Sequence, residues 1–252
     1  MAGVYGRMVD IRASGRAGYA VLIDPDRIAP GDIGGRVRRI SSYADFIFVG
    51  GSICMGGDFD EAVRLVKAAS SVPVVIFPGD STQVSSWADA ILFLSLVSGR
   101  NPDLLIGEHV KAAPRVRGSG LEPIPVAYIL VESGRTTSVQ FMSQTLPVPR
   151  NKPEIAMAHG LAGEYLGMKA VFLEAGSGAD EPVPAGMVEA VSAYVSVPVM
   201  VGGGIRTPES AAELVRAGAS FVVTGDIIER DGSENLLDEF SRAVRETFQE
   251  RG

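Results

Sequence analysis

A closed parallel (β/α)8 barrel is the fold class that the sequence predicts, and three observations predict it. Short continuous apolar runs recur along the chain, each followed by a stretch with helical spacing, which is the rhythm of a sheet buried on both faces. Most runs end in glycine, aspartate, glutamate or serine, so the polar groups collect on one side of the sheet. Two glycine-rich strand ends, at residues 199–204 and 222–226, lie about one βα unit apart near the C-terminus. A barrel of this kind carries its recurrent phosphate site in the loops after strands seven and eight, so six βα units should precede them.

The elements follow in order. Residues 1–17 read as an N-terminal helix or arm that covers the barrel floor, and residues 19–24 as strand one, ending in a carboxylate. Ile33, Val37 and Ile40 mark helix one within residues 32–42, and residues 45–52 form strand two, closed by Gly-Gly-Ser. Residues 58–71 are amphipathic through Ala62, Leu65, Val66 and Ala69, and residues 73–78 are strand three. Only about nine residues separate it from the next run, 88–94. That is short for a crossover helix with two loops, so the third helix should be truncated or replaced by a loop.

Helix four spans residues 101–113 behind an Asn101-Pro102 start, and residues 124–131 are strand five. Residues 132–152 form the longest stretch without periodicity, the signature of a lid or binding loop. A helix at 153–167, strand six at 168–174, a helix at 182–195 and strand seven at 199–202 continue the pattern. Thr207-Pro208 opens helix seven, residues 221–224 are strand eight, and residues 234–249 close the ring.

A length of 252 residues suits one barrel, so residues 1–252 are read as one domain. Hydrophobic residues make up 46% and charged residues 21%, and no apolar run reaches eighteen, which excludes disorder and a transmembrane helix. The first residues lack the layout of a signal peptide, and with Cys54 as the lone cysteine the expected location is cytoplasmic. A formal net charge of -7 argues against bulk binding to nucleic acid or an anionic membrane. An anionic ligand must then be held locally, by backbone amides, a few arginines or a divalent cation.

Polar residues just after strands should face the site. Asp24 and Ser52, on neighbouring strands, are a carboxylate and a hydroxyl able to share Mg2+. The alternative for Asp24-Pro-Asp26 is an Asx-type turn. Gly203-Gly204 and Gly225-Asp226 offer two sets of amide donors to a phosphate, where either turn alone would be only a tight connection. Glu174, after strand six, is placed for general-base or hydroxyl-binding work, the alternative being a cap on the following helix. Tyr128, Tyr165 and Phe172 read as packing residues, and His109 and His159, inside helices, as core or surface residues.

Several strings go beyond a generic barrel. Leu22-Ile-Asp-Pro-Asp26, Val49-Gly-Gly-Ser52, Ile76-Phe-Pro-Gly79, Tyr128-Ile-Leu-Val-Glu-Ser-Gly134, Phe172-Leu-Glu-Ala-Gly-Ser-Gly178, Val201-Gly-Gly-Gly-Ile-Arg206 and Val223-Thr-Gly-Asp226 occur in this order. In this the chain resembles the geranylgeranylglyceryl phosphate synthases, with which the bacterial heptaprenylglyceryl phosphate synthases are grouped. The resemblance implies a Mg2+-dependent prenyltransferase that joins the C3 hydroxyl of sn-glycerol 1-phosphate to a prenyl diphosphate. It implies Mg2+ at Asp24 and Ser52. It also implies glycerol phosphate along Phe172, Leu173, Glu174, Ala175, Gly176, Ser177 and Gly178, at Gly203 and Gly204, and at Gly225 and Asp226.

Assembly as a homo-oligomer, dimer or hexamer, and a peripheral membrane contact for product release are further implications. Two departures stand out. Leu22 occupies a position where some members carry lysine, and Asp226 replaces the asparagine of many members. A longer heptaprenyl donor, another phosphate-binding barrel activity, and a silent phosphate- or lipid-binding protein remain alternatives.

Overall fold

Eight strands, separated by helices except between the third and fourth, pair in parallel with their neighbours in chain order, and the eighth pairs with the first to close the barrel. The computed structural model describes residues 3–55, 58–225 and 234–249. The strands are β1 (Gly18–Ile23), β2 (Phe46–Val49), β3 (Val74–Ile76), β4 (Ala90–Leu96), β5 (Glu122–Leu130), β6 (Ala170–Glu174), β7 (Val199–Gly202) and β8 (Phe221–Thr224). The helices are α1 (Val4–Ala13), α2 (Pro30–Ser41), α3 (Phe59–Ala69), α4 (Glu108–Ser119), α5 (Ser138–Ser143), α6 (Pro153–Tyr165), α7 (Ala185–Tyr194), α8 (Pro208–Arg216) and α9 (Glu234–Gln249).

Strand alternation divides the core into two layers. Phe46, Phe48, Val126, Tyr128, Phe172 and Phe221 pack together inside the barrel, whereas Ile47, Val49, Ala127, Ile129, Val171 and Leu173 pack outward against the helices. Both sets are buried, which is why the strands read as unbroken apolar runs. Helix α1 plugs the floor as expected. Val4, Met8 and Ile11 fall on one face and join the inner layer beside Ala20, Phe46 and Phe221. The Glu122 carboxylate, at the start of β5, accepts the N–H groups of Val4 and Tyr5 and so satisfies two orphan donors of the first turn.

No helix lies between β3 and β4, and residues 77–89 cross by turns alone. Asp60 on α3 fastens this crossing, accepting from Ser85 Oγ at 2.6 Å and Trp87 Nε1 at 3.1 Å. The fourth helix differs from the expected 101–113. Asn101 Oδ1 caps the start through Asp103 N at 3.0 Å, a π-helical turn follows at Asp103–Gly107, and α4 then runs through Pro114 to Ser119. Pro114 does not end it because Ala112 and Val116, one turn apart, are buried against Ile76 and Ile91; Gly120 ends it, with φ 76°. The aperiodic stretch 132–152 holds the short α5, and a bridge from Val131 to Val148 brings it back to β5.

Candidate active site

The C-terminal ends of the strands surround one cavity of about 480 Å3. Asp24 and Ser52 line one side, and Phe172, Glu174, Gly176, Ser177 and Gly178 line the other, with Gly203, Gly204 and Gly225 beside them. The structure therefore brings nearly all the sequence candidates to one mouth. Leu173 and Ala175 are exceptions, because the strand's alternation turns both into the outer layer. Asp226 lies outside the described residues.

The β6 to β8 side is built by close backbone approach around Glu174. This carboxylate is 7% exposed, and its Oε1 accepts the Gly176 N–H at 2.5 Å. It caps no helix, since α7 starts only at Ala185. Gly203, at φ 82°, would place a Cβ 2.5 Å from both Glu174 Oε1 and Gly176 N, so glycine is required where these loops meet. Any side chain there would fill the space over the Glu174 oxygen.

Tyr128 packs in the inner layer, as the sequence predicts, and also lines this cavity. Its register partner across β5 and β6 is Phe172, and the same alternation faces both rings into the barrel, where the Glu174 charge acts on the phenol. Burial first, then the neighbouring Glu174 carboxylate, push the phenol well above its ordinary value. Tyr128 therefore keeps its proton throughout the neutral range. The inward-facing periodicity of β5 was the signal available in the sequence.

Two arginines hold the loop after β6 in place. Arg206 donates to Ala179 O at 2.7 Å and Asp180 O at 3.3 Å. Arg150 donates to Pro182 O at 2.8 Å and Glu132 O at 3.1 Å, and pairs with Glu181 at 2.8 Å. The stretch 132–152 thus packs onto the Glu174 side of the mouth, and α5 lines the cavity through Ser138, Val139 and Met142.

On the opposite side Asp24 does two things. Its Oδ1 accepts Asp26 N at 3.1 Å, forming the Asx-type turn, and its Oδ2 lies 3.2 Å from Arg27 Nε. A Cβ on Gly51 would lie 3.2 Å from Asp24 Oδ1, so the carboxylate rests over the turn that leads to Ser52. A divalent cation of the Mg2+ type needs one or two carboxylates, with water and substrate phosphate oxygens completing its octahedron. The Asp24 carboxylate and Ser52 hydroxyl fit that need. Among the described residues no group of three or more His, Cys, Asp or Glu side chains is arranged as an all-protein metal cage.

From the mouth the cavity continues as an apolar groove toward the outer face of β4, lined by Ile91, Phe93, Leu104, His109 and Ala112. This is the space that a third crossover helix would otherwise cover. His109 holds the core position expected of it: Nε2 lies 3.0 Å from Ser95 Oγ and the ring stands edge-on to Phe93 at 4.6 Å. Burial holds its pKa below the ordinary value, so it contributes a neutral wall to the groove.

A family model described as the PcrB family matches residues 10–244. The geranylgeranylglyceryl phosphate synthase of Chitinophaga pinensis is 46% identical over 242 residues, covering 96% of this chain and 95% of that protein. That of Pyrococcus furiosus is 48% identical over 233 residues, covering 90% and 92%. The crystal structure of (S)-3-O-geranylgeranylglyceryl phosphate synthase from Thermoplasma acidophilum, in complex with substrate sn-glycerol-1-phosphate, superposes with a TM-score of 0.91 at 35% identity, covering 98% of this chain and 100% of that one. Similarity that spans the whole barrel, together with the polar groups at its mouth, establishes that the chain belongs to the PcrB family.

Proposed function

We propose that the protein is a prenyltransferase that joins the C3 hydroxyl of sn-glycerol 1-phosphate to geranylgeranyl diphosphate and releases diphosphate. One observation carries this reading: a single cavity combines two polar ends with an apolar groove opened by the missing third helix. A sugar-phosphate isomerase has no use for such a groove. The names of the relatives and the glycerol phosphate in the Thermoplasma complex support the substrate pair.

In this mechanism the glycine turns after β7 and β8 present N–H groups to the glycerol phosphate. Glu174, held by Gly176 N, orients the C3 hydroxyl and takes its proton as the C–O bond forms. The allylic C1–O bond to diphosphate breaks, positive charge develops at C1, and the glycerol oxygen closes on it. The prenyl tail lies along Phe93, Leu104 and Ala112, away from water. Asp24 and Ser52 would hold Mg2+, which when bound supplies positive charge against the departing diphosphate.

A purified sample supplied with sn-glycerol 1-phosphate, Mg2+ and C15, C20 or C35 prenyl diphosphate should form ether product fastest with C20. Product with C35 alone would move the assignment to a heptaprenyl donor, and none with any donor would refute prenyl transfer. The same reading makes the protein a homo-oligomer, supported by Tyr165 (80% exposed) and Leu166 (76%) at the end of α6. It also gives the mouth a peripheral membrane contact, supported by the exposed Met55, Phe141 and Leu146. Light scattering should return a multiple of 26.5 kDa, and lipid vesicles should retain the protein on flotation; a monomer or unbound protein would refute the respective point.

A further inference from the structure

Gln83 is 1% exposed, and its side-chain amide joins two turns of the mouth. Nε2 donates to Gly51 O at 2.9 Å, and Oε1 accepts from Gly79 N at 3.1 Å. Only this orientation of the amide satisfies both neighbours, because a backbone N–H must meet the oxygen and a backbone carbonyl the nitrogen. The turns it joins are in van der Waals contact. A Cβ on Gly79 would lie 3.1 Å from Ser52 Cα, and a Cβ on Gly50 would lie 3.2 Å from Gln83 Oε1.

The turn after β3 is held from its other side by α4. Glu108 accepts Ser81 N at 2.9 Å, Arg115 donates to Ser81 O at 3.2 Å, and Lys111 pairs with Glu108 at 2.6 Å. The bonds from Lys111 and then Ser81 bring the Glu108 carboxyl down to about 2, so this clasp stays ionised through the neutral range. Residues 77–89 have no helix of their own, so these side-chain bonds replace the crossover helix as the support of the turn.

We propose that Gln83, backed by Glu108, is a positioning residue for the diphosphate end of the prenyl donor, fixing the Gly51-Ser52 turn against the Gly79-Asp80 turn. The inference rests on the prenyl-transfer reading, in which Asp24 and Ser52 face the donor's diphosphate. In that reading glycerol phosphate sits on the β6 to β8 side, away from both turns. Losing a supporting bond of this kind typically costs tenfold to a hundredfold in affinity or activity.

The test is calorimetric and kinetic. Gln83→Leu keeps the volume and removes both bonds; Glu108→Ala removes the bond to Ser81 N, leaving Arg115 on Ser81 O, without entering the core. Inorganic pyrophosphate with Mg2+ stands in for the donor head. Gln83→Leu should weaken its binding, and raise the KM for prenyl diphosphate, by about tenfold or more, with sn-glycerol 1-phosphate affinity within about twofold. Glu108→Ala should shift the same pair of values in the same direction by a smaller factor. Unchanged values, or equal losses for both substrates, would overturn the proposal. If Gln83→Leu fails to fold, Glu108→Ala decides by the same criterion. An unvaried protein that makes no product would instead count against prenyl transfer itself.

Discussion

Glu174→Gln lowers turnover by roughly 10²- to 10⁴-fold, the range for loss of a general base, or about 3–5 kcal/mol of transition-state stabilisation. The fold should survive. The amide oxygen of glutamine still accepts the Gly176 N–H, so the loop after β6 keeps its anchor and the buried site keeps its volume. What is lost is the negative charge and the ability to take a proton from the C3 hydroxyl. Calorimetry should therefore show sn-glycerol 1-phosphate bound within about tenfold of the parent affinity, while single-turnover product formation falls by the full factor.

Tyr128→Phe provides the matching control. It removes a polar neighbour of the carboxylate and leaves the base, so its effect on turnover should be about tenfold or less. Near-normal turnover in Glu174→Gln, or a larger loss in Tyr128→Phe than in Glu174→Gln, would remove Glu174 from the base role.

Much of this architecture was legible in the chain because parallel barrel strands are buried on both faces and leave a local signal. Residues 45–52 and 168–174 read as strands from the run alone, and the short spacing before residue 88 announced the missing helix. Asp24, Ser52, Glu174 and the glycine turns stand out in the sequence because each closes such a run, and the structure places them around one cavity. What stayed hidden depends on distance in sequence. Gln83 sits in an unremarkable Ser-Thr-Gln-Val stretch, and its partner Gly51 is 32 residues away. Tyr128 has apolar neighbours, and only its partner across β6 shows that it faces a carboxylate. The end of α4 lies at Ser119, beyond the expected 113, because burial of Ala112 and Val116 carries the helix through Pro114.

Asp24→Asn tests the other end of the cavity with little structural disturbance. The asparagine oxygen can accept Asp26 N as Asp24 Oδ1 does, and asparagine suits such a turn as well as aspartate. The ion pair with Arg27 disappears, but both groups are substantially exposed, at 45% and 30%, and a surface pair contributes about 0–1 kcal/mol. Thermal stability should therefore change by only a few degrees. The charge at the donor end changes by a full unit, and Arg27 loses its pair with Asp24. Pyrophosphate without Mg2+ should then bind as well as to the parent or better, since one repulsive carboxylate is gone. With Mg2+ the order should reverse. The variant should lose at least tenfold in Mg2+-dependent pyrophosphate affinity, and turnover at saturating prenyl diphosphate should drop by roughly 10²-fold or more. The crossing of the two binding series separates a cation-holding carboxylate from one that serves only as a turn cap. A pure cap would leave both series, and turnover, at parental values.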